Sequence, residues 1–366
     1  MDLCEQSPSY VRAIAPYRPG KPISELAREM GLKEKNIVKL ASNENPLGVS
    51  PKAKSAIKKA IADLGRYPDG NAFDLKAALA KRYGVAEDRI VVGNGSNDLL
   101  EMAAAVFLAP GRSAVYSQHA FAVYPLATQA RGARSIVVPA KNYGHDLEAM
   151  LAAIAPDTRV VFVANPNNPT GTFVPGAELE AFLALVPREV AVVVDEAYTD
   201  YLPRELRYDS IAWLSKYPNF ILTRTFSKIY GLAGLRVGFG LMQPAVAELL
   251  NRVRQPFNVN SLALAAATAA LEDRKFVAKS TRMNRAGMVK LERALRSLGL
   301  EVIPSCANFL TFRVSRAATV YDKLLRQGVI VRPLAGYEMP DHLRVTVGTP
   351  WENEKFLKAL TTALDD

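Results

Sequence analysis

The chain has 366 residues, is 49% hydrophobic and 22% charged, and carries 46 Lys+Arg against 36 Asp+Glu, a formal net charge of +10. This length and balance describe a soluble globular protein with ample core and two domains, and exclude a disordered or fibrous chain. The cations are dispersed, pairs such as Lys58-Lys59 and Lys81-Arg82 lying among helix formers, so nucleic acid is not an expected partner.

Two cysteines, Cys4 and Cys306, are too few for a disulfide scaffold and point to a reducing compartment. His119, His145 and His342 are scattered away from other ligand types, so no metal site is expected; His119 is at most a site-wall candidate. No apolar run reaches the roughly 18 residues of a membrane span, and the opening MDLCEQSPSYVRAIAPY lacks a signal-peptide core. A cytoplasmic location is the expectation.

Residues 1–38 are polar and proline-containing, with a short helix expected over 24–30, capped by Ser24 after Pro22. Tyr17, in APYRPG, is a loop aromatic. LASNENPLG (40–48) reads as a strand end entering a turn, with Asn45-Pro46 and Gly48 as turn chemistry. An amphipathic helix over 52–64 begins after Pro51, and Tyr67 follows in the loop RYPDG. A helix over 74–83 and a strand over 89–92 lead to GNGSND (93–98) and an apolar helix over 99–108.

Strand, glycine turn and helix in that order present unpaired backbone N–H groups at the helix start, a phosphate cup with Gly95, Ser96 and Asn97 as contacts. Asn97-Asp98 stand where the dinucleotide pattern G-x-G-x-x-G would end, so NAD is not expected. Strands over 114–116 and 135–138 flank a helical piece over 121–130 that holds Phe121. A buried strand over 159–164 ends in NPNNPTG (165–171), which holds Asn168, and a helix covers 178–185. The strand 191–194 places Asp195, first residue of DEAY, at its carboxyl end, where ligands sit in open α/β sheets.

Between strands over 220–224 and 236–241 lies TRTFSKIYGLAGLRVG (223–238). A lone lysine, Lys228, stands there among Ser227, Gly231, Gly234 and Gly238, with Arg236 eight residues on. A free lysine amine condenses with an aldehyde, glycines admit a bulky ligand, and serine and arginine bind phosphate. Together they suggest a pyridoxal phosphate site.

Seven strand-like runs alternating with helices predict an α/β domain with a mostly parallel seven-stranded sheet flanked by helices. Past residue 250 the pattern changes to helices over 262–271 and 274–298, then short strands over 308–313, 330–332 and 343–347 with two more helices. This predicts a smaller α+β domain. The expected division is 1–45 as an arm and part of the small domain, 46–255 as the large domain, and 256–366 as the small one.

The joint order of LASNENPLG, GNGSND, NPNNPTG, DEAY, the Lys228 loop and LRVTVGT (343–349) resembles the fold-type I pyridoxal-phosphate-dependent aminotransferases. Within them it resembles the histidinol-phosphate aminotransferase family, over nearly the whole chain. The resemblance implies that Lys228 holds the cofactor and that Asp195 keeps its ring nitrogen protonated. Tyr198 and Asn168 would donate to the phenolic oxygen and Phe121 would stack on the ring. Gly95, Ser96, Asn97, Ser227 and Arg236 would surround the phosphate, with Tyr67 reaching it from a second subunit. Arg344 and Arg332 would grip a substrate phosphate or carboxylate, with Tyr17 and Asn45 as further substrate contacts. The family often has Pro-Thr before the stacking aromatic, where this chain has His119-Ala120.

The implied reaction interconverts histidinol phosphate plus 2-oxoglutarate with imidazole-acetol phosphate plus glutamate, in histidine biosynthesis, by a homodimer. An aromatic amino acid aminotransferase of the same fold is the alternative. A pyridoxal-phosphate-sensing regulator would need an attached helix-turn-helix, for which the two catalytic-type domains leave no room.

Overall fold

The computed structural model describes residues 2–17 and 19–365. The N-terminal segment holds α1 (Leu3–Gln6), α2 (Ser9–Arg12), α3 (Ile23–Met30) and β1 (Val38–Lys39). Helix α3 starts one residue earlier than expected, with Pro22 rather than Ser24 at its N-cap and Gly31 closing it at φ +65°. Helices α4 (Pro51–Ala60) and α5 (Phe73–Tyr83) follow.

Strands β2 (Ile90–Gly93), β3 (Ser113–Ser117), β4 (Arg134–Val138), β5 (Thr158–Ala164), β6 (Ala191–Asp195), β7 (Phe220–Thr225) and β8 (Gly238–Leu241) form one sheet in the order β2-β8-β7-β6-β5-β3-β4. Only β8 runs against its neighbours, antiparallel to both β2 and β7. The reason is its connection: a loop, not a crossover helix, joins β7 to β8, and a parallel partner needs a crossover. That loop carries Lys228. Strand β8 begins at Gly238, so Arg236, expected at a strand start, lies in the loop at φ +58°.

Helices α6 (Ser96–Phe107), α7 (Val123–Ala130), α8 (Leu147–Ala152), α9 (Gly176–Leu185) and α10 (Pro244–Val253) belong to this domain. Apart from the largely exposed edge strand β4, the sheet is buried on both faces, which explains strands that read as unbroken apolar runs. Alternate residues split between two cores: Val161, Val163, Val192 and Val194 on one side, Val160, Phe162, Ala191 and Val193 on the other.

The rest of the chain forms α11 (Ser261–Leu271), α12 (Arg274–Ser297), β9 (Val302–Ile303), β10 (Phe309–Arg313), α13 (Ala317–Arg326), β11 (Val329–Ile330), β12 (Arg332–Pro333), β13 (His342–Thr346) and α14 (Pro350–Asp365). Four strands make an antiparallel sheet, β12-β13-β10-β9, while β11 pairs in parallel with β1 of the arm. Leu26 and Ile37 pack there with Leu325 and Ile330, fastening the arm to the small domain. The expected boundary at residue 256 precedes α11, yet α11 packs on α4 and α5 and adds Ala263, Ala266, Ala267 and Ala270 to the large core. By packing, the changeover falls at α12.

Candidate active site

The carboxyl ends of β6 and β7, the start of α6, the arm and β13 converge on one cavity of about 260 Å³. Its wall includes Asp195, Tyr198, Lys228, Ser96, Asn43 and Arg344.

Asp195 ends β6 and is buried. Its Oδ2 accepts from the Tyr124 hydroxyl at 3.4 Å, while among the described residues Oδ1 has no hydrogen-bond partner. Burial pushes the carboxyl up to about 6, against the pull of neighbouring hydroxyls and the Lys228 cation. A buried acceptor without a donor costs about 1–3 kcal/mol, a deficit that a ligand's cationic N–H would remove.

Lys228 lines the same wall, its Nζ donating to the Ser42 carbonyl at 3.3 Å. Burial, then the cations Arg344 and Arg236, push its amine down to about 8, opposed by Glu44 and Asp195. At that value about a tenth of the amine is neutral at pH 7, against fewer than about one in a thousand for an ordinary lysine. The neutral amine is the form that can attack a carbonyl.

Ser96, Asn97, Thr225, Ser227 and Arg236 all line the cavity. Ser96 and Asn97 open the twelve-residue helix α6, whose first N–H groups and dipole favour an anion. Gly95 sits at φ +83°, and a β-carbon on it would lie 2.4 Å from Arg236 Nη2. Arg236 Nη1 donates to Ser227 Oγ at 3.3 Å, holding the guanidinium at the cup.

Phe121, just ahead of α7, and Ala197 line the wall as well. The Tyr198 hydroxyl accepts from Asn43 Nδ2 at 2.9 Å. Asn168 Oδ1 accepts from Arg344 Nη1, which leaves its N–H2 as the group for a ligand.

Also in the wall, Arg332 and Arg344 are direct cross-strand partners on β12 and β13. Like charges opposite one another destabilise a sheet unless an anion lies between them. Arg344 is buried, gives Nη2 to the Ala41 carbonyl at 2.7 Å, and among the described residues has no partner for Nε. Burial, with Arg332 adding to it, lowers its pKa from the ordinary arginine value. Arg332 stands 5.7 Å over the Tyr17 ring.

Four expected positions fall outside the wall: Gly95, which abuts Arg236, and three others. Asn45 is not in the wall: its Nδ2 donates to the Ile229 carbonyl and Ser280 Oγ, and its Oδ1 accepts from Leu47 N, so the side chain is spent on the loop itself. Tyr67 lies outside this cavity, 83% exposed and stacked at 4.7 Å on Phe257. His119 lines an adjoining cavity of about 710 Å³, which shares Tyr17, Arg332 and Tyr337 with the first.

Asn43 and Tyr124 were not anticipated from sequence. Tyr124 offered one signal, a hydroxyl three residues beyond Phe121 in an apolar helix. Asn43 shared its motif with Asn45 and could not be ranked above it.

An aminotransferase class I and II family model matches residues 35–360. The chain belongs to the class I and II aminotransferase family. It is 62% identical over 366 residues to histidinol-phosphate aminotransferase 2 of Nitrosospira multiformis, covering 100% of this chain and 93% of that protein. It is 61% identical over 364 residues to histidinol-phosphate aminotransferase 1 of Dechloromonas aromatica, covering 100% of each. The crystal structure of histidinol-phosphate aminotransferase from Sinorhizobium meliloti in complex with pyridoxal-5′-phosphate superposes with a TM-score of 0.91 at 28% identity, over 98% of both chains. This aminotransferase is an enzyme that uses pyridoxal phosphate. Its cavity has the donor set for that group: an anion cup, a buried carboxylate with an open oxygen, and a reactive amine.

Proposed function

We propose that the protein transfers the amino group of histidinol phosphate to 2-oxoglutarate, giving imidazole-acetol phosphate and glutamate in histidine biosynthesis. The observation that carries this is the cross-strand pair Arg332 and Arg344, which lines the same cavity as Ser96, Asn97, Ser227 and Arg236. Two guanidiniums suit a distal phosphate, and equally the carboxylates of glutamate in the other half-reaction. Relatives near 60% identity that carry this substrate's name support the choice.

Bound pyridoxal phosphate supplies an electron sink for the charge left when the substrate's amine-bearing carbon loses its proton. Lys228 would hold the cofactor, and its amine would serve as the general base and acid for that proton. Asp195 keeps the ring nitrogen protonated through a charge-assisted hydrogen bond. Tyr198 and Asn168 donate to the phenolic oxygen, and the Phe121 ring packs on the heterocycle. Gly95, Ser96, Asn97, Ser227 and Arg236 hold the cofactor phosphate. Arg344 and Arg332, with Tyr17 beside them, would bind the substrate's anionic group and so orient it.

We further propose a cytoplasmic homodimer in which Tyr67 completes the phosphate site of a second copy. Ile61, Leu64, Tyr67 and Phe73 are all more than half exposed within one stretch, a surface suited to burial against a partner. The thiols of Cys4 and Cys306 are free, and among the described residues no helix is long and apolar enough to cross a membrane. The deciding assay offers histidinol phosphate and phenylalanine as amino donors to 2-oxoglutarate. Turnover of the first is expected; brisk turnover of phenylalanine alone would overturn the substrate.

A further inference from the structure

We infer that Asn43 is a positioning residue that aims the Tyr198 hydroxyl proton into the cavity, and that Thr346 of the small domain fixes Asn43 in turn. The directions of the hydrogen bonds carry this. Asn43 is 1% exposed and holds φ +55°, in the left-handed region that asparagine tolerates better than most residues. Its backbone N–H can only donate, and it does so to Thr346 Oγ1 at 2.9 Å. The Thr346 hydroxyl keeps its own proton for Asn43 Oδ1, 3.1 Å away. That identifies the oxygen end of the amide. The end facing Tyr198 is therefore Nδ2, which donates to the tyrosine oxygen at 2.9 Å.

Tyr198 accepts at that contact, so its one proton is turned elsewhere, and the space it lines is the cavity. The donors run one way, from Thr346 to Asn43 to Tyr198 to the ligand. A reversed amide would present an oxygen, draw the tyrosine proton back and leave the cavity without this donor. Asn308 Nδ2 holds the Asn43 carbonyl at 3.1 Å, so two small-domain side chains clamp this residue. Thr346 lies two positions beyond Arg344 on β13. The strand that carries the substrate-facing arginine also sets the tyrosine's proton.

The inference rests on the reading of Tyr198 as a donor to the cofactor's phenolic oxygen. Such a donor stabilises the negative oxygen left when the adjoining nitrogen loses its proton, and so lowers the pH midpoint of the lysine-bound cofactor's visible absorbance. The test compares Y198F, N43A, T346V and T346S, each loaded with pyridoxal phosphate. The readouts are that midpoint, kcat and KM, with thermal unfolding to check the fold.

Y198F is expected to raise the midpoint by about one unit and lower kcat about tenfold. N43A should raise it by about half a unit and lower kcat about threefold, with KM changed less than about twofold. T346V should shift both in the same directions, and T346S should match the parent. In the Y198F background N43A should add less than about twofold, because no proton remains to be aimed. Losses that multiply in the double variant, or unchanged midpoints in N43A and T346V beside a shifted Y198F, overturn the inference and leave Tyr198's role standing. An unchanged midpoint in Y198F overturns both. Should N43A fail to fold, the contrast between T346V and T346S decides: equal behaviour of the two overturns the inference.

Discussion

A β-carbon on Gly238 would lie 2.4 Å from the backbone nitrogen of Ser96. It would also meet the Gly95 carbonyl carbon at 2.7 Å and the Arg224 oxygen at 2.9 Å, and backbone cannot rotate away. The absence of a side chain at the start of β8 is what lets α6 bring its first N–H groups to the cup. G238A is expected to weaken pyridoxal phosphate binding at least about tenfold and to lower the melting temperature. A fluorescence titration with affinity within about twofold of the parent would remove this glycine from the site's construction.

Borohydride reduction followed by peptide mass spectrometry should place the cofactor's mass on residue 228. K228A and K228R should show none and lose transamination. With the amine near 8, the rate of cofactor capture by the cofactor-free protein should rise about tenfold per pH unit below that value and level off above it. A rate still climbing at pH 10 would mean that the amine titrates as an ordinary lysine.

Asp195 predicts opposite effects on rate and stability. D195N should lower kcat by about 10²-fold or more, since a neutral amide cannot hold the ring-nitrogen proton. Burial raises the carboxyl from 3.8 to about 6 in the folded, cofactor-free protein. The folded state then keeps a proton that the unfolded chain has already released. The associated stability is present below about pH 4 and lost as pH rises through about 6. D195N lacks this titration, so without cofactor it should gain on the parent by about 2–3 kcal/mol between pH 4 and 7. Urea unfolding at the two pH values measures it, and a pH-independent difference would sink the prediction.

Arg344 is held by the Ala41 carbonyl and Asn168 while its Nε stays open. Lysine cannot reproduce that fork. R344K should reduce kcat/KM about 10²-fold for both histidinol phosphate and glutamate, mostly through KM. A loss confined to one substrate would show that the two half-reactions do not share this cation.

For the proposed dimer, subunits carrying K228A alone and Y67F alone are each impaired. Mixed, they should recover activity, because one shared site then has both residues intact. Light scattering at the monomer mass, or no recovery on mixing, would end the idea of a shared site.

Much of this was legible in the sequence, and for identifiable reasons. Buried parallel strands read as apolar runs, so the large sheet and the place of Asp195 at a strand end followed directly. Lys228 and its glycines sit in a single loop, where local spacing carries the information. The sequence could not separate Asn43 from Asn45, two positions apart in one turn. Which of them faces the cavity depends on the left-handed backbone at Asn43 and on Thr346, 303 residues away. The facing of Arg332 and Arg344 likewise depends on strand register, and α11 looked like small-domain helix because its small apolar residues do not say which surface they meet. Arg236 read as strand because nothing local announced its positive φ.

The pairing of Val38 with Val329 has a consequence for how the protein is made. At ribosomal speeds of about 5–20 residues per second, the 290 positions between them take about 15–60 seconds to be made. For that time the leading segment, with Leu26 and Ile37, has no partner strand. Nascent chains halted before residue 329 should therefore display a protease-sensitive N-terminus above an already folded sheet.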